Sequence, residues 1–189
     1  MNEEALIGEL RQGSAMAFTQ LVEAYQHMVH NVVLNIVNHA QEAEDVAQEV
    51  FIQVYQQVHH FRGEAKLSTW LYRIAITKAL ECERKKKAKK RFHTLKTLIG
   101  IGDDNDDLAI DFHHPGIQLD NKEKAATLFK AMKQLPDNQR TAFMLIKAEG
   151  LSYEEVSGIM SITVKAVEAL MHRAKENLRK TLSVYYKND

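Results

Sequence analysis

At 189 residues the chain has room for one ordinary domain or two small ones, and a hydrophobic content of 45% supports a packed core and excludes wholesale disorder. A single cysteine, Cys82, excludes a disulfide framework and a cysteine-rich zinc site. The formal net charge of +0 hides a segregated pattern: residues 1–61 carry −7, residues 62–96 carry +9, residues 97–120 carry −6 and residues 121–189 carry +4, a distribution suited to a molecule that meets anions in two places.

With 8 Gly, 2 Pro and no regular run of β-branched strands, long segments of helical period dominate. The expected class is all-α: two small helical domains joined by a flexible acidic linker. Their expected bounds are 1–95, a linker over 96–120, and 121–189. Met1-Asn2-Glu3-Glu4 is acidic where a secretory leader would be basic and then apolar. No uncharged stretch reaches the ~18 residues of a membrane span. A soluble, cytoplasmic protein with no membrane insertion is the expectation.

A short amphipathic helix opens the chain with Leu6, Ile7 and Leu10 on one side. Gly13 can close it and Ser14 can cap the next. That second helix is long, with Phe18, Leu21, Val22, Tyr25, Val29, Val32, Val33 and Ile36 at 3-to-4 spacing. A third carries a buried stripe of Ala43, Val46, Ala47, Val50, Phe51, Val54, Tyr55 and Val58. Its other face is polar and mostly acidic: Glu44, Asp45, Gln48, Glu49 and Gln53. After the loop Arg62-Gly63-Glu64-Ala65-Lys66 a fourth helix buries Trp70, Leu71 and Ile74. It exposes Ser68, Thr69, Tyr72, Arg73 and Lys78, and runs into Arg84-Lys85-Lys86-Lys87-Ala88-Lys89-Lys90-Arg91.

Gly100, Gly102, Pro115 and Gly116 punctuate the linker around the acidic tract Asp103-Asp104-Asn105-Asp106-Asp107. In the second domain one helix carries Ala125, Leu128, Phe129 and Met132. Pro136 starts another at a first-turn position, with Phe143 and Ile146 inward, and Gly150 stops it. Ser152-Tyr153-Glu154-Glu155 is a capping-box pattern opening a short helix through Met160. Thr163 can cap a longer one with Val164, Val167, Leu170, Met171, Ala174 and Leu178 inward. Two helices with a three-residue turn between them make a helix-turn-helix.

The acidic face of the third helix reads as a docking surface for a protein. The 7 cations among residues 84–91, beside hydroxyl and aromatic groups, suit single-stranded DNA, whose bases stack and whose phosphates pair with Lys and Arg. The bland alternative is a solvated helix end. The last helix offers small or flexible groups for a major groove (Lys165, Ala166, Glu168, Ala169), then cations and a histidine (His172, Arg173, Lys175) for phosphates; the bland alternative is a helical hairpin without DNA. His27 and His30, at i and i+3, invite a metal, yet no third ligand has matching spacing. No nucleophile constellation or phosphate-binding glycine loop is present, so neither enzyme activity, a metal nor a cofactor is expected.

These blocks resemble the bacterial RNA polymerase sigma factors of the extracytoplasmic-function type. The resemblance rests on Glu44-Asp45-Val46-Ala47-Gln48-Glu49-Val50-Phe51, on Thr69-Trp70-Leu71-Tyr72-Arg73-Ile74-Ala75, on Leu135-Pro136 with Gly150-Leu151-Ser152-Tyr153-Glu154-Glu155, and on Arg173-Ala174-Lys175 with Leu178-Arg179. It implies that Glu44, Asp45, Gln48, Glu49, Phe51 and Gln53 dock on core RNA polymerase. It implies that Arg62, Lys66, Ser68, Thr69, Trp70, Tyr72 and Arg73, continuing through Thr77, Lys78, Glu81, Arg84 and Lys85, recognise and melt the −10 promoter element. It implies that Ser152, Tyr153 and Thr163, with Lys165, Ala166, Glu168, Ala169, His172, Arg173 and Lys175, read the −35 element.

The linker would thread towards the RNA exit path, its Asp residues standing in for nucleic acid. The implied partners are core polymerase, promoter DNA and an anti-sigma factor. The chain departs from the family pattern at Thr77, where Asn is common, at Glu81, where Asp is common, at Glu168 and Leu170, where cations are frequent, and at Ser161, which replaces a turn Gly. The rival expectations are a stand-alone helix-turn-helix regulator, a histidine-dependent metalloenzyme, and a degenerate member that no longer reads promoters.

Overall fold

The computed structural model describes residues 2–98 and 122–185, with side chains at 2–92 and 126–183. Of the expected linker, 96–120, residues 96–98 belong to the last helix of the first domain, and residues 99–120, the acidic run included, lie outside the described residues. All regular structure among those described is helical, as the periodicity predicts.

The first domain holds α1 (Glu3–Arg11), α2 (Ala15–Val37), α3 (Ala40–Gln57), a single 3₁₀ turn (Val58–His60) and α4 (Leu67–Leu98). Polar caps set the starts. The Asn2 side chain accepts hydrogen bonds from the Glu4 and Ala5 N–H groups, the Ser14 hydroxyl accepts from Ala17 N–H at 3.2 Å, and the His39 imidazole accepts from Glu42 N–H at 3.4 Å. Gly13 turns the chain at φ 77°, and Asn38 ends α2 at φ 54°, a left-handed conformation that Asn tolerates better than most residues.

The core is the meeting of three apolar stripes. Leu21, Val29, Val33 and Ile36 of α2 face Ala43, Val46, Val50 and Val54 of α3 and Leu67, Leu71, Ala75 and Ala79 of α4, all buried. Each fully buried Leu, Val or Ile contributes ~1.5–3 kcal/mol by leaving water, so a core of this size holds the helices in one register. One residue departs from the expected stripe. Phe51 is indeed inside, 8% exposed, but Tyr55 is 44% exposed and stacks edge-on against Phe18 with ring centroids 5.2 Å apart.

The second domain holds α5 (Lys122–Lys133), α6 (Asp137–Lys147), α7 (Tyr153–Met160) and α8 (Val164–Tyr185). Pro136 sits one position earlier than expected, as the N-cap of α6 and not its first helical residue. Gly150, at φ 70°, lies three residues past the end of α6. The Ser152–Glu155 capping box is complete: the Ser152 hydroxyl accepts from Glu155 N–H at 3.2 Å, and the Glu155 carboxylate accepts from Ser152 N–H at 2.9 Å. Those two bonds hold the Glu155 carboxyl below its ordinary range. Thr163 accepts from Ala166 N–H and caps α8 as expected.

The two domains touch. Asn35 Nδ2 of α2 donates to Glu149 Oε1 at 3.1 Å. Arg73 of α4 donates to the Ile159 and Gly158 carbonyls of α7 at 3.2 and 2.6 Å. Arg84 of α4 pairs with Asp137 at the start of α6 at 3.3 Å.

Candidate protein and nucleic-acid interfaces

The α3 stripe turns one side of that helix inward, so the positions between its members must face out. Glu44, Asp45, Gln48 and Glu49 are all exposed on that side. Gln53 is half-buried and donates to Gln57 at 3.3 Å. Phe51, expected to join this face, is instead core. Ile52, 55% exposed, takes its place one turn before Tyr55. Ile52 was legible: it lies out of phase with the stripe, so helical geometry alone turns it outward. The surface is an acidic strip running into two exposed apolar side chains, a combination that fits a partner surface with cations and an apolar pocket.

On α4 the expected nucleic-acid residues divide into three environments. The 62–66 loop and the C-terminal turns are open. Arg62 and Glu64 are about four-fifths exposed, 3.9 Å apart. Lys66, Thr77, Glu81 and Lys85 are exposed, as are Lys87, Lys89, Lys90 and Arg91. In a middle group Ser68, Thr69 and Trp70 are half-buried, the Trp70 ring lying 5.0 Å from that of Phe61. Lys78 pairs with Glu49 of α3 at 3.5 Å, so the acidic strip and the basic helix meet there. The Thr77 hydroxyl donates back to the Arg73 carbonyl at 2.8 Å.

The third environment lies under the second domain. Tyr72, expected to be exposed, is 8% exposed. Burial, reinforced by the Glu149 and Glu155 carboxylates, pushes its phenol up to about 12. Arg73 is exposed, yet its guanidinium is engaged by the α7 carbonyls. The sequence carries no local signal for this, because the covering groups come from 85 and 86 residues further along.

On α8, Lys165, Glu168, Ala169, His172, Arg173 and Lys175 are exposed and Ala166 half-buried. Val167, Met171, Ala174 and Leu178 are buried on the other side, so the expected groove-facing set lies along a solvent-facing surface at helical spacing. His172 lies 3.7 Å from Glu176, and Arg173 Nε donates to the Ala169 carbonyl at 3.2 Å. Ser152 and Thr163 spend their hydroxyls on caps, and Tyr153 is half-buried.

Cys82 lies half-buried in a groove between α3 and α4, where burial pushes its thiol above the ordinary range, with the Glu42 carboxylate adding to the effect. A raised thiol is a poor nucleophile. No helix among the described residues is long and apolar enough to cross a membrane.

Each domain contains a stretch that matches a family model. The family model described as Sigma-70 region 2 matches residues 21–90, and that described as Sigma-70, region 4 matches residues 126–178. The RNA polymerase sigma-H factor of Pseudomonas aeruginosa is 34% identical over 180 residues, covering 95% of this chain and 93% of its own. The ECF RNA polymerase sigma-E factor of Haemophilus influenzae is 32% identical over 179 residues, covering 93% of each chain. The structure of CnrH in complex with the cytosolic domain of CnrY has the same fold, with a TM-score of 0.65 at 19% identity over 95% of this chain and 96% of that one.

Proposed function

This chain belongs to the sigma-70 family as an RNA polymerase sigma factor of the extracytoplasmic-function type, and from that premise we propose which of its surfaces does what. The acidic face of α3 (Glu44, Asp45, Gln48 and Glu49, extended by Ile52 and Tyr55) docks on core polymerase. The 62–66 loop and α4 receive the −10 element: Trp70 stacks on an unpaired base, while Arg73, Arg84 and Lys85 take phosphates. The outward side of α8 enters the major groove at the −35 element. Its Lys165 and Lys175 hold phosphates, and Glu168 and Ala169 sit against base edges.

The observation that carries this reading is that the three surfaces belong to three different helices. The acidic strip, the basic flank of α4 and the outward side of α8 each lie on a different helix face, so protein and DNA can be held together. A stand-alone regulator would need α8 alone and leaves the first domain without a task. The chain itself contributes positioning and strand separation; the phosphoryl transfer belongs to the polymerase, and the protein works in the cytoplasm beside it. An anti-sigma partner is proposed on family grounds and would act by covering these same surfaces.

Run-off transcription with core polymerase on fragmented genomic DNA tests the reading. The expected result is discrete start sites sharing −35 and −10 elements, lost when Glu44 and Asp45 are replaced by Lys. Core-independent binding to a palindromic duplex, with no starts, would contradict it.

A further inference from the structure

Arg62, Gly63, Glu64 and Lys66 of the 62–66 loop are exposed, yet both ends of the loop are tied down, and both ties come from α1. Within the loop the hydrogen bonds and ion pairs are local: Arg62 lies 3.9 Å from Glu64, and the Lys66 carbonyl accepts from Trp70 N–H at 3.3 Å. Gly63 turns the chain at φ 74°, and a Cβ there would meet nothing within 4 Å. A short, solvated segment of this kind keeps one shape only when its ends are held.

At the near end, Arg11 Nη2 donates to the Phe61 carbonyl. At the far end, Glu3 Oε2 accepts from Leu67 N–H at 3.5 Å. Leu67 is the first residue of α4, and Lys66 before it has no side-chain acceptor to serve as a cap. The Glu3 carboxylate does this for α4 from 64 positions away. It takes one of the unpaired N–H groups and sets a negative charge at the positive end of the helix. Tyr25 of α2 donates to the other Glu3 oxygen at 3.4 Å and so orients the carboxylate.

α1 itself is seated by Leu6 and Leu10, 4% and 1% exposed. Those two residues alone would make it a lid on the core. A lid has no need of two charged side chains that end on backbone groups at either end of one loop. The near tie also bears on the base-stacking side chain. Phe61, whose carbonyl Arg11 holds, is 6% exposed, and its ring lies 5.0 Å from that of Trp70. The Sigma-70 region 2 match begins at residue 21, so α1 lies outside it.

We propose that α1 positions the strand-reading loop: Arg11 and Glu3 hold its two ends and so keep residues 62–66 and Trp70 in the shape that captures an unpaired base. The capture half of this inference rests on the assignment of the loop and α4 to the −10 strand; the tying of the loop does not.

Trp70 is the single tryptophan of the chain, so its fluorescence reports the surroundings of the loop directly. Glu3→Ala and Arg11→Met each remove one tie and leave Leu6 and Leu10 in place. In the free full-length protein each should raise acrylamide quenching of Trp70 and shift its emission to the red, with helical circular dichroism unchanged. In the polymerase-bound protein each should weaken binding of a mixed-sequence fluorescein-labelled single strand, measured above core alone, by about tenfold, a loss in the range one stacked base contributes. Affinity for core should not change. Arg11→Lys, which keeps a donor and the charge, should bring both readings back towards the parent. Weaker strand binding with Trp70 quenched as in the parent would mean that α1 acts other than through the loop, and raised quenching with full strand affinity would mean that the shape of the loop does not limit capture; either result overturns the proposal. Lost helical circular dichroism in both variants would make α1 a lid alone and would overturn it too. Trp70→Ala separates the proposal from the assignment beneath it. If that variant binds the strand as the parent does, the assignment and the capture half fail together, and the quenching still decides whether α1 ties the loop.

Discussion

Ser161 holds the turn of the helix-turn-helix at φ 55°, its N–H donating to the Gly158 carbonyl while that of Ile162 reaches Ser157. A left-handed conformation costs a residue with a Cβ ~1–2 kcal/mol, and glycine would avoid that at ~0.5–1 kcal/mol of extra freedom in the unfolded chain. Ser161→Gly should therefore stabilise the second domain by up to ~1 kcal/mol, raising Tm by about 2–4 °C in a protein of this size; an unchanged or lower Tm would show that the serine contributes something the backbone does not reveal. Glu149 offers a second residue-level test. Burial pushes its carboxyl above the ordinary 4.5, against the opposing effect of the Asn35 hydrogen bond. A raised carboxyl favours the folded form below 4.5, and that advantage is lost as pH rises through the raised value. At neutral pH the charged carboxylate is thus a liability, and Glu149→Gln, which keeps an oxygen for Asn35, should raise Tm there. The gain should vanish in acid, and a gain of equal size at both ends of the pH range would refute the cause given. At this same scale Phe51 and Tyr55 show what periodicity can and cannot resolve. Both fit the stripe, and only the neighbouring α2, with Phe18 at the edge of the core, decides that one is inside and the other half out.

At the scale of the element, α3 shows why so much of the docking surface was legible. A helix that buries Ala43, Val46, Ala47 and Val50 must expose the residues between them, and the caps at Ser14, Ser152 and Thr163 were readable because each replaces a backbone partner that a helix start lacks. Exposure also makes the face testable without damage to the fold. Replacing Glu44 and Asp45 by Lys removes no buried contact, so thermal stability should stay within about 0.5 kcal/mol. Affinity for core polymerase should fall at least tenfold, the cost of setting like charges against a basic partner surface. Fluorescence anisotropy of labelled protein titrated with core measures it. An unchanged affinity would move the docking surface elsewhere, and Ile52→Glu would then ask whether its apolar half alone suffices. α4 was less legible than α3 because its faces serve three neighbours. Its basic tail follows from composition, whereas Tyr72, Glu83 and Arg73 take their surroundings from α6 and α7, which no local pattern announces.

For the whole molecule, charge segregation is the property that most constrains behaviour, and it divides into what salt can reach and what it cannot. Arg140 and Glu83 lie in a dry interface where mobile ions screen weakly, whereas the α4 tail and the outward side of α8 sit in solvent and are screened within about 10 Å at ordinary ionic strength. Salt should therefore weaken DNA binding far more than it loosens the Arg140–Glu83 contact. The contribution of the tail can be read separately. Each cation that meets a phosphate on a single strand steepens the fall of log affinity against log salt by about 0.7. Lys85 and Lys89, one turn apart and both exposed, should each supply one such contact in the polymerase-bound protein. Replacing both by Ala should make that slope shallower by about 1.4, while the salt dependence of duplex binding through α8 stays as it was. A slope that does not change would mean that the strand leaves α4 before its basic turns, and that the cations of residues 84–91 face something other than DNA.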